Sequence, residues 1–134
     1  MAKTTEIRFV VITPERQVLQ QAVSSVVFTA HDGEMGVLTG RAPLMCELGI
    51  GQLRYETAGQ TRRLFIDGGF AQVYENSVTV LTQRAMPAEE IAAETIAAAE
   101  RAVDELRGTD AATCAAREQA QQRVRVLRRL QQAQ

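Results

Sequence analysis

The chain changes character at Pro87. All six aromatic residues (Phe9, Phe28, Tyr55, Phe65, Phe70, Tyr74) and eight of the nine glycines precede it. Beyond it the chain is mostly Ala, Glu, Gln and Arg. Aromatic and β-branched side chains suit pleated strands, whereas Ala, Glu, Gln and Arg favour helix. A length of 134 residues leaves room for one compact domain and an appendage. The boundary predicts a β unit over residues 1–86 and a helical unit over residues 87–134.

Before Pro87, short β-branched runs are broken by turn residues. "IRFVVIT" alternates and stops at Pro14, and "VSSVVFTA" runs into Asp32-Gly33. "QLRYET" and "RRLFID" flank "AGQ", a hairpin turn with Gly59 supplying a positive φ. "FAQVY" and "VTVLTQ" flank Glu75-Asn76-Ser77, a second tight connection. Strands at this spacing predict a sandwich or barrel of paired sheets.

After the boundary, Pro87 suits a first helical position, and Glu89 and Glu90 complement the helix dipole. Ala92, Ile96, Ala99, Val103 and Leu106 recur at four-three spacing. Gly108 ends this helix, and Thr109 or Asp110 caps the next, whose stripe is Ala116, Ala120, Val124, Leu127 and Leu130. So short a link predicts an antiparallel pair. Both stripes are rich in alanine, and a buried CH₂ is worth only about 0.8 kcal/mol. Weak docking of the helices, on each other and on the β unit, is expected.

Charge divides along the same hairpin. The first helix carries six acids (Glu89, Glu90, Glu94, Glu100, Asp104, Glu105) against Arg101 and Arg107. The second carries five arginines (Arg117, Arg123, Arg125, Arg128, Arg129) and Glu118. Closed, the two faces complement each other; open, the second helix is a basic rod suited to an acidic surface. Exposed ion pairs contribute about 0–1 kcal/mol, so charge alone locks neither state.

Catalytic groups are scarce. The single lysine, Lys3, lies near the N-terminus, so no glycine-rich phosphate loop is completed by a lysine. No G-x-S-x-G occurs, and His31 is the sole imidazole. Asp32-Gly33 and Asp67-Gly68-Gly69 read as turn or bulge chemistry. In "HDGEMGVLTGRAPL", residues 31–44, Gly33, Gly36 and Gly40 permit unusual backbone angles while Pro43 holds Ala42 extended. Such a constrained loop presents a surface. Cys46 and Cys114 are too few for a disulfide framework or a structural zinc site, which fits a reducing compartment. Apolar runs fall far short of the roughly 20 residues of a membrane helix, and no signal-peptide core follows Lys3. A soluble protein without cofactor or metal is expected, able to work on a membrane complex.

"DGEMGVLTGRAPL" resembles the segment D-G-E-x-G-[IVL]-L-P-G-H-A-P-L of the epsilon subunit of F-type ATP synthases. "VITPERQVL" is similar to that family's first hairpin, "IDGGFAQV" to its G-G-F/I-x-x-V strand, and "VTVLTQRA" to the strand before its helices. The order and the β-then-helical layout agree over essentially the whole chain. The resemblance implies a ten-stranded β-sandwich of two five-stranded sheets, then an antiparallel two-helix hairpin. It implies a non-catalytic rotor subunit on the gamma shaft and the membrane c-ring, joining ion-driven ring rotation to ATP synthesis. Its place would be the cytoplasmic face of the bacterial plasma membrane, as a peripheral subunit that inserts nothing into the bilayer. In many members the second helix also rises along the shaft, meets the alpha and beta subunits, and inhibits ATP hydrolysis.

The resemblance carries over residue by residue. Glu34 falls on the acidic position facing the c-ring loops, although a plain exposed turn acid explains it equally well. Arg41 replaces the family's histidine beside the shaft, next to Pro43, and Thr39 replaces its proline. Arg41 suits a carboxylate partner instead. Arg123, Arg125, Arg128 and Arg129 fall on the helix that meets the catalytic subunits. Some members bind ATP through I/L-D-x-x-R-A at the start of the first helix. Here Ala92 stands for the acid and Thr95 for the arginine, so no nucleotide site is expected.

Two other readings remain open from sequence. One is a β-sandwich adaptor whose helices dock a partner coiled coil, which the 31–44 segment gives no reason to prefer. The other is nucleic-acid binding through Arg117–Arg129; a net charge of −1 and the lack of aromatics there oppose it.

Overall fold

The computed structural model describes residues 6–30 and 33–132, so Lys3, His31 and Asp32 lie outside the described residues. Eight strands are found among them: β1 (Ile7–Ile12), β2 (Gln17–Val23), β3 (Ser25–Ala30), β4 (Gly33–Val37), β5 (Leu44–Thr57), β6 (Gln60–Tyr74), β7 (Ser77–Leu81) and β8 (Ala85–Pro87). A 3-10 turn (Ala88–Glu90) leads to α1 (Ala93–Glu105) and α2 (Ala111–Gln132).

Hydrogen bonding links the strands in the order β2-β1-β7-β6-β5-β3-β4, with β8 also on β6. β1 and β7 are parallel; the other pairs are antiparallel. The long strands β5 and β6 pair along their whole length, except where Gly49 and Gly68 interrupt the ladder between Leu48↔Gly69 and Ile50↔Asp67. Side-chain parity inverts at this point. Leu64 and Ile66 face the main core before it, Ala71 and Val73 after it. On β5 the core residues are likewise Leu53 and Tyr55 on one side and Leu48 on the other. Gly68 and Gly69 supply the positive φ of this corner, and at Gly69 a Cβ would collide with the β7 backbone. Both strands therefore pass from one layer into the other. One layer is β2, β1, β7 and the adjoining ends of β6 and β5; the other is β4, β3, the remaining halves of β5 and β6, and β8. Each layer has five strand segments. The ten strands implied by the resemblance are eight continuous ones because two serve both layers.

Between the layers lie Phe9, Phe28, Leu53, Leu64 and the β-branched residues around them. Phe9 and Tyr55 rings meet at a centroid distance of 5.1 Å. Two hairpin turns have positive φ at both residues, Ala58-Gly59 (51° and 77°) and Glu75-Asn76 (47° and 62°). Such turns match the strand twist, so the "AGQ" connection forms with Ala58 as well as Gly59 in the left-handed region.

Three local expectations are corrected. Pro87 caps the short 3-10 turn and is not the first residue of the α-helix. It ends β8 opposite Leu64, an edge position where a missing N–H is tolerated. α1 starts six residues later, with Ala92 at its N-cap. Second, the shaped loop at 31–44 is partly strand, since Gly33–Val37 pairs with β3. Gly33 and Gly40 have positive φ, whereas Gly36 does not. Third, docking of the helices is firmer than alanine stripes suggest. Val126, Leu127 and Leu130 of α2 share a second buried cluster with Phe65, Ala88, Ile91 and Ile96, flanked by Ile50 and Met86. Val126 lies beside the predicted stripe and widens it.

Candidate interaction surfaces

The two outer faces of the sandwich differ. The face of β5, β6 and β8 that carries Ile50, Phe65 and Met86 is covered by α2. Among the described residues no helix covers the outer face of the other layer. Phe70 on β6 stands opposite Leu81 on β7, which stands opposite Ile12 on β1. Phe70 and Leu81 are each 51% exposed, Tyr74 53% and Met45 64%. Gln72 and Thr79 lie between them, so the face mixes large exposed apolar side chains with polar ones, as contact surfaces do. The sequence reading missed them. The signal was the alternation in "FAQVY", which puts Phe70 and Tyr74 opposite Ala71 and Val73 but does not say which face stays bare.

At one end of this face lies the 38–43 loop. The Gly40 N–H donates to Asn76 Oδ1 at 2.8 Å, which ties the loop to the β6–β7 turn beside Tyr74. Leu38, Arg41 and Pro43 are exposed there. The Arg41 guanidinium approaches Met35 Sδ at 3.9 Å, a weak contact that leaves it open to a carboxylate. Glu34 sits at the other end of β4, and its Oε2 accepts from Arg54 Nη1 at 3.3 Å. Both side chains of that pair are about a third or more exposed, so it contributes little to stability. The structure does not bring Glu34 and Arg41 together.

The hairpin gives its four candidate arginines different surroundings. Arg123 Nε donates to Asp67 Oδ2 at 3.0 Å. Arg125 chelates Gln122 Oε1 at 3.1 and 2.6 Å. Arg128 pairs with Glu100 of α1. Arg129 is exposed in the last turn of α2. Arg117 closes the helix–helix link, donating to the carbonyls of Leu106 (2.9 Å) and Gly108 (2.6 Å), beyond the end of α1 where the helix offers no partner. Thr95 accepts the Ala92 N–H at 3.4 Å and so caps α1, while Ala92 offers no polar side chain.

Among the described residues no nucleophile stands beside an imidazole base. Burial pushes the Cys46 thiol above its ordinary pKa, away from the reactive thiolate. Among the described residues no group of three or more His, Cys, Asp or Glu side chains is placed to hold a metal ion, and no helix is long and apolar enough to cross a membrane.

Comparison with known proteins agrees with this geometry. Residues 6–88 match the family model described as ATP synthase, Delta/Epsilon chain, beta-sandwich domain. The ATP synthase epsilon chain of Rhodopirellula baltica is 49% identical over 83 residues, which cover 62% of this chain and 65% of that one. The epsilon chain of Pelotomaculum thermopropionicum is 41% identical over 98 residues, 73% of each chain. The match thus spans just under two thirds of the length of the first relative. A chain in the cryo-EM structure of Euglena gracilis mitochondrial ATP synthase (OSCP, F1 and c-ring, rotational state 1) superposes with a TM-score of 0.75 at 29% identity, covering 99% of this chain and 84% of that one. A chain of the Tetrahymena thermophila mitochondrial ATP synthase central stalk and c-ring shares the fold, with a TM-score of 0.72 at 14% identity over 97% and 99% of the two chains. The chain belongs to the ATP synthase delta/epsilon chain family.

Proposed function

We propose that this chain is a non-catalytic central-stalk subunit of a bacterial F-type ATP synthase, a peripheral component on the cytoplasmic face of the plasma membrane. The uncovered outer face carries this reading. A sandwich with one outer face covered by its own helix and four large apolar side chains exposed on the other is suited to being seated on another protein. Phe70, Leu81, Tyr74 and Met45 are the seat for the gamma shaft, with Arg41 and Pro43 at its rim. Glu34 is offered to the polar loops of the c-ring. Residues 1–86 thereby join ring rotation to the shaft, so that ion flow drives ATP synthesis in the head.

Residues 87–134 are the regulatory part. When the hairpin leaves the sandwich, Arg123, Arg125, Arg128 and Arg129 meet acidic stretches of the alpha and beta subunits and slow ATP hydrolysis. The split charge of the two helices and the separate docking cluster support a two-state element.

Photo-crosslinking in the assembled complex tests the seat. A photoreactive residue at Phe70 should give an adduct with the shaft, and one at Glu34 an adduct with the ring. Adducts of Phe70 with neither shaft nor head, in a complex that retains the chain, would overturn the assignment.

A further inference from the structure

We infer that Asp67 and Arg123 form a latch between sandwich and hairpin, in which Asp67 occupies the guanidinium that the released helix would present to the catalytic subunits. The inference rests on the reading of the hairpin as a brake and names what restrains it.

Of the four candidate arginines, Arg123 is the one whose described ion pair reaches the β unit. The pair is the most shielded of the five described, with 31% of the Arg123 side chain and 11% of the Asp67 side chain exposed. Shielding strengthens the attraction and makes the loss of either partner costly to the other. Arg123 lies one turn before Leu127, in line with the side chains that α2 buries. α2 cannot lift away and keep this bond.

Asp67 is held ready for it. Its N–H donates to the Arg84 carbonyl at 3.1 Å and to Thr82 Oγ1 at 3.2 Å. Gly68 and Gly69 come next, with φ of 72° and 106°. A Cβ on Gly69 would collide with the Leu81 carbonyl and the Thr82 backbone, so the strand passes close to β7 and the corner is fixed. A fixed backbone at Asp67 lowers the ordering cost of the pair. Two glutamine contacts from α2 flank the latch, Gln122 Nε2 to the Ile50 carbonyl (3.4 Å) and Gln131 Nε2 to the Ile91 carbonyl (3.3 Å). They are neutral, so among these contacts with the rest of the chain Asp67 is what neutralises Arg123, as Glu100 within the hairpin neutralises Arg128.

The two ends of the latch then give opposite outcomes. Asp67→Asn frees the hairpin and leaves Arg123 charged. Arg123→Gln frees the hairpin but removes one inhibitory group. The test is hydrogen exchange of the full chain, followed by hydrolysis assays with the matching head and shaft. In Asp67→Asn, amides of residues 120–130 should exchange about tenfold faster, the effect of losing one partly shielded pair, while β7 amides stay protected. The exchanged pair Asp67→Arg with Arg123→Asp should restore the slow rate. Unchanged exchange at 120–130, with β7 intact, overturns the latch whatever the hairpin does to hydrolysis. If Asp67→Asn exposes β7, Arg123→Gln supplies the same exchange readout from outside the β unit. Given faster exchange, Asp67→Asn should deepen the slowing of hydrolysis and Arg123→Gln should not. Faster exchange with no deeper slowing leaves the latch standing but refutes competition between Asp67 and the catalytic subunits.

Discussion

Phe70 and Leu81 stand directly opposite each other across β6 and β7, both on the outer face and both half exposed. A cross-strand apolar pair open to water adds little to folding and is available to anchor a partner. Phe70→Glu should shift stability by less than about 0.5 kcal/mol, as exposed substitutions do. It should weaken binding to the shaft by about 2 kcal/mol or more, the size of a buried aromatic anchor. Titration calorimetry against the isolated shaft, beside a denaturant melt of the variant, separates the two effects.

Gly69 makes the opposite prediction. Its φ of 106° and its closeness to the β7 backbone leave no room for a side chain. Gly69→Ala should cost about 2–4 kcal/mol through strain and displacement of β7. The denaturant midpoint should fall with the slope unchanged.

The start of α2 is sensitive to acid. Hydrogen bonds from the Thr113 hydroxyl (2.8 Å) and backbone N–H (3.0 Å) hold the Asp110 carboxyl below its ordinary pKa, with a smaller contribution from the Arg117 charge. A carboxylate with a lowered folded-state pKa stabilises the fold above its unfolded value, about 3.9 for Asp. That stabilisation is lost as pH falls through the lowered value. The protection of the Thr113 amide, measured against its intrinsic exchange rate at each pH, should therefore fall on acidification below about pH 4, and Asp110→Ala should remove this change in protection.

The isolated chain should not bind ATP. Ala92 carries no acid and Thr95 is engaged in capping α1. Calorimetry with ATP should show no saturable binding tighter than about millimolar, some 4 kcal/mol on the affinity scale.

Much of the fold was legible because local chemistry and tertiary packing agree. The two-residue turns at Ala58-Gly59 and Glu75-Asn76, the Asp110 cap and the stripe through Ala120, Val124, Leu127 and Leu130 all arise from residue type and spacing. Pro87 misled because a helix-starting residue also tolerates an edge strand, and the register with Leu64 decided between them. β4 was obscured because glycines at 33 and 36 weaken a strand pattern that pairing with β3 supplies. The bare face could not be seen from alternation, since the inversion at Gly68-Gly69 moves Phe70 outward while Phe65 goes under α2. The arginines were visible as a charge run, but only three-dimensional neighbours separate Arg123, paired with Asp67, from Arg129.

The central claim is that the β unit seats the subunit and the hairpin restrains hydrolysis. ATP hydrolysis by the matching catalytic head and shaft, with either the full chain or a chain ending at Glu90, tests it most directly. That shorter chain keeps β8 and the 3-10 turn. Both forms should bind, and only the full chain should slow hydrolysis. Binding of neither form, or equal rates with both bound, would contradict the account.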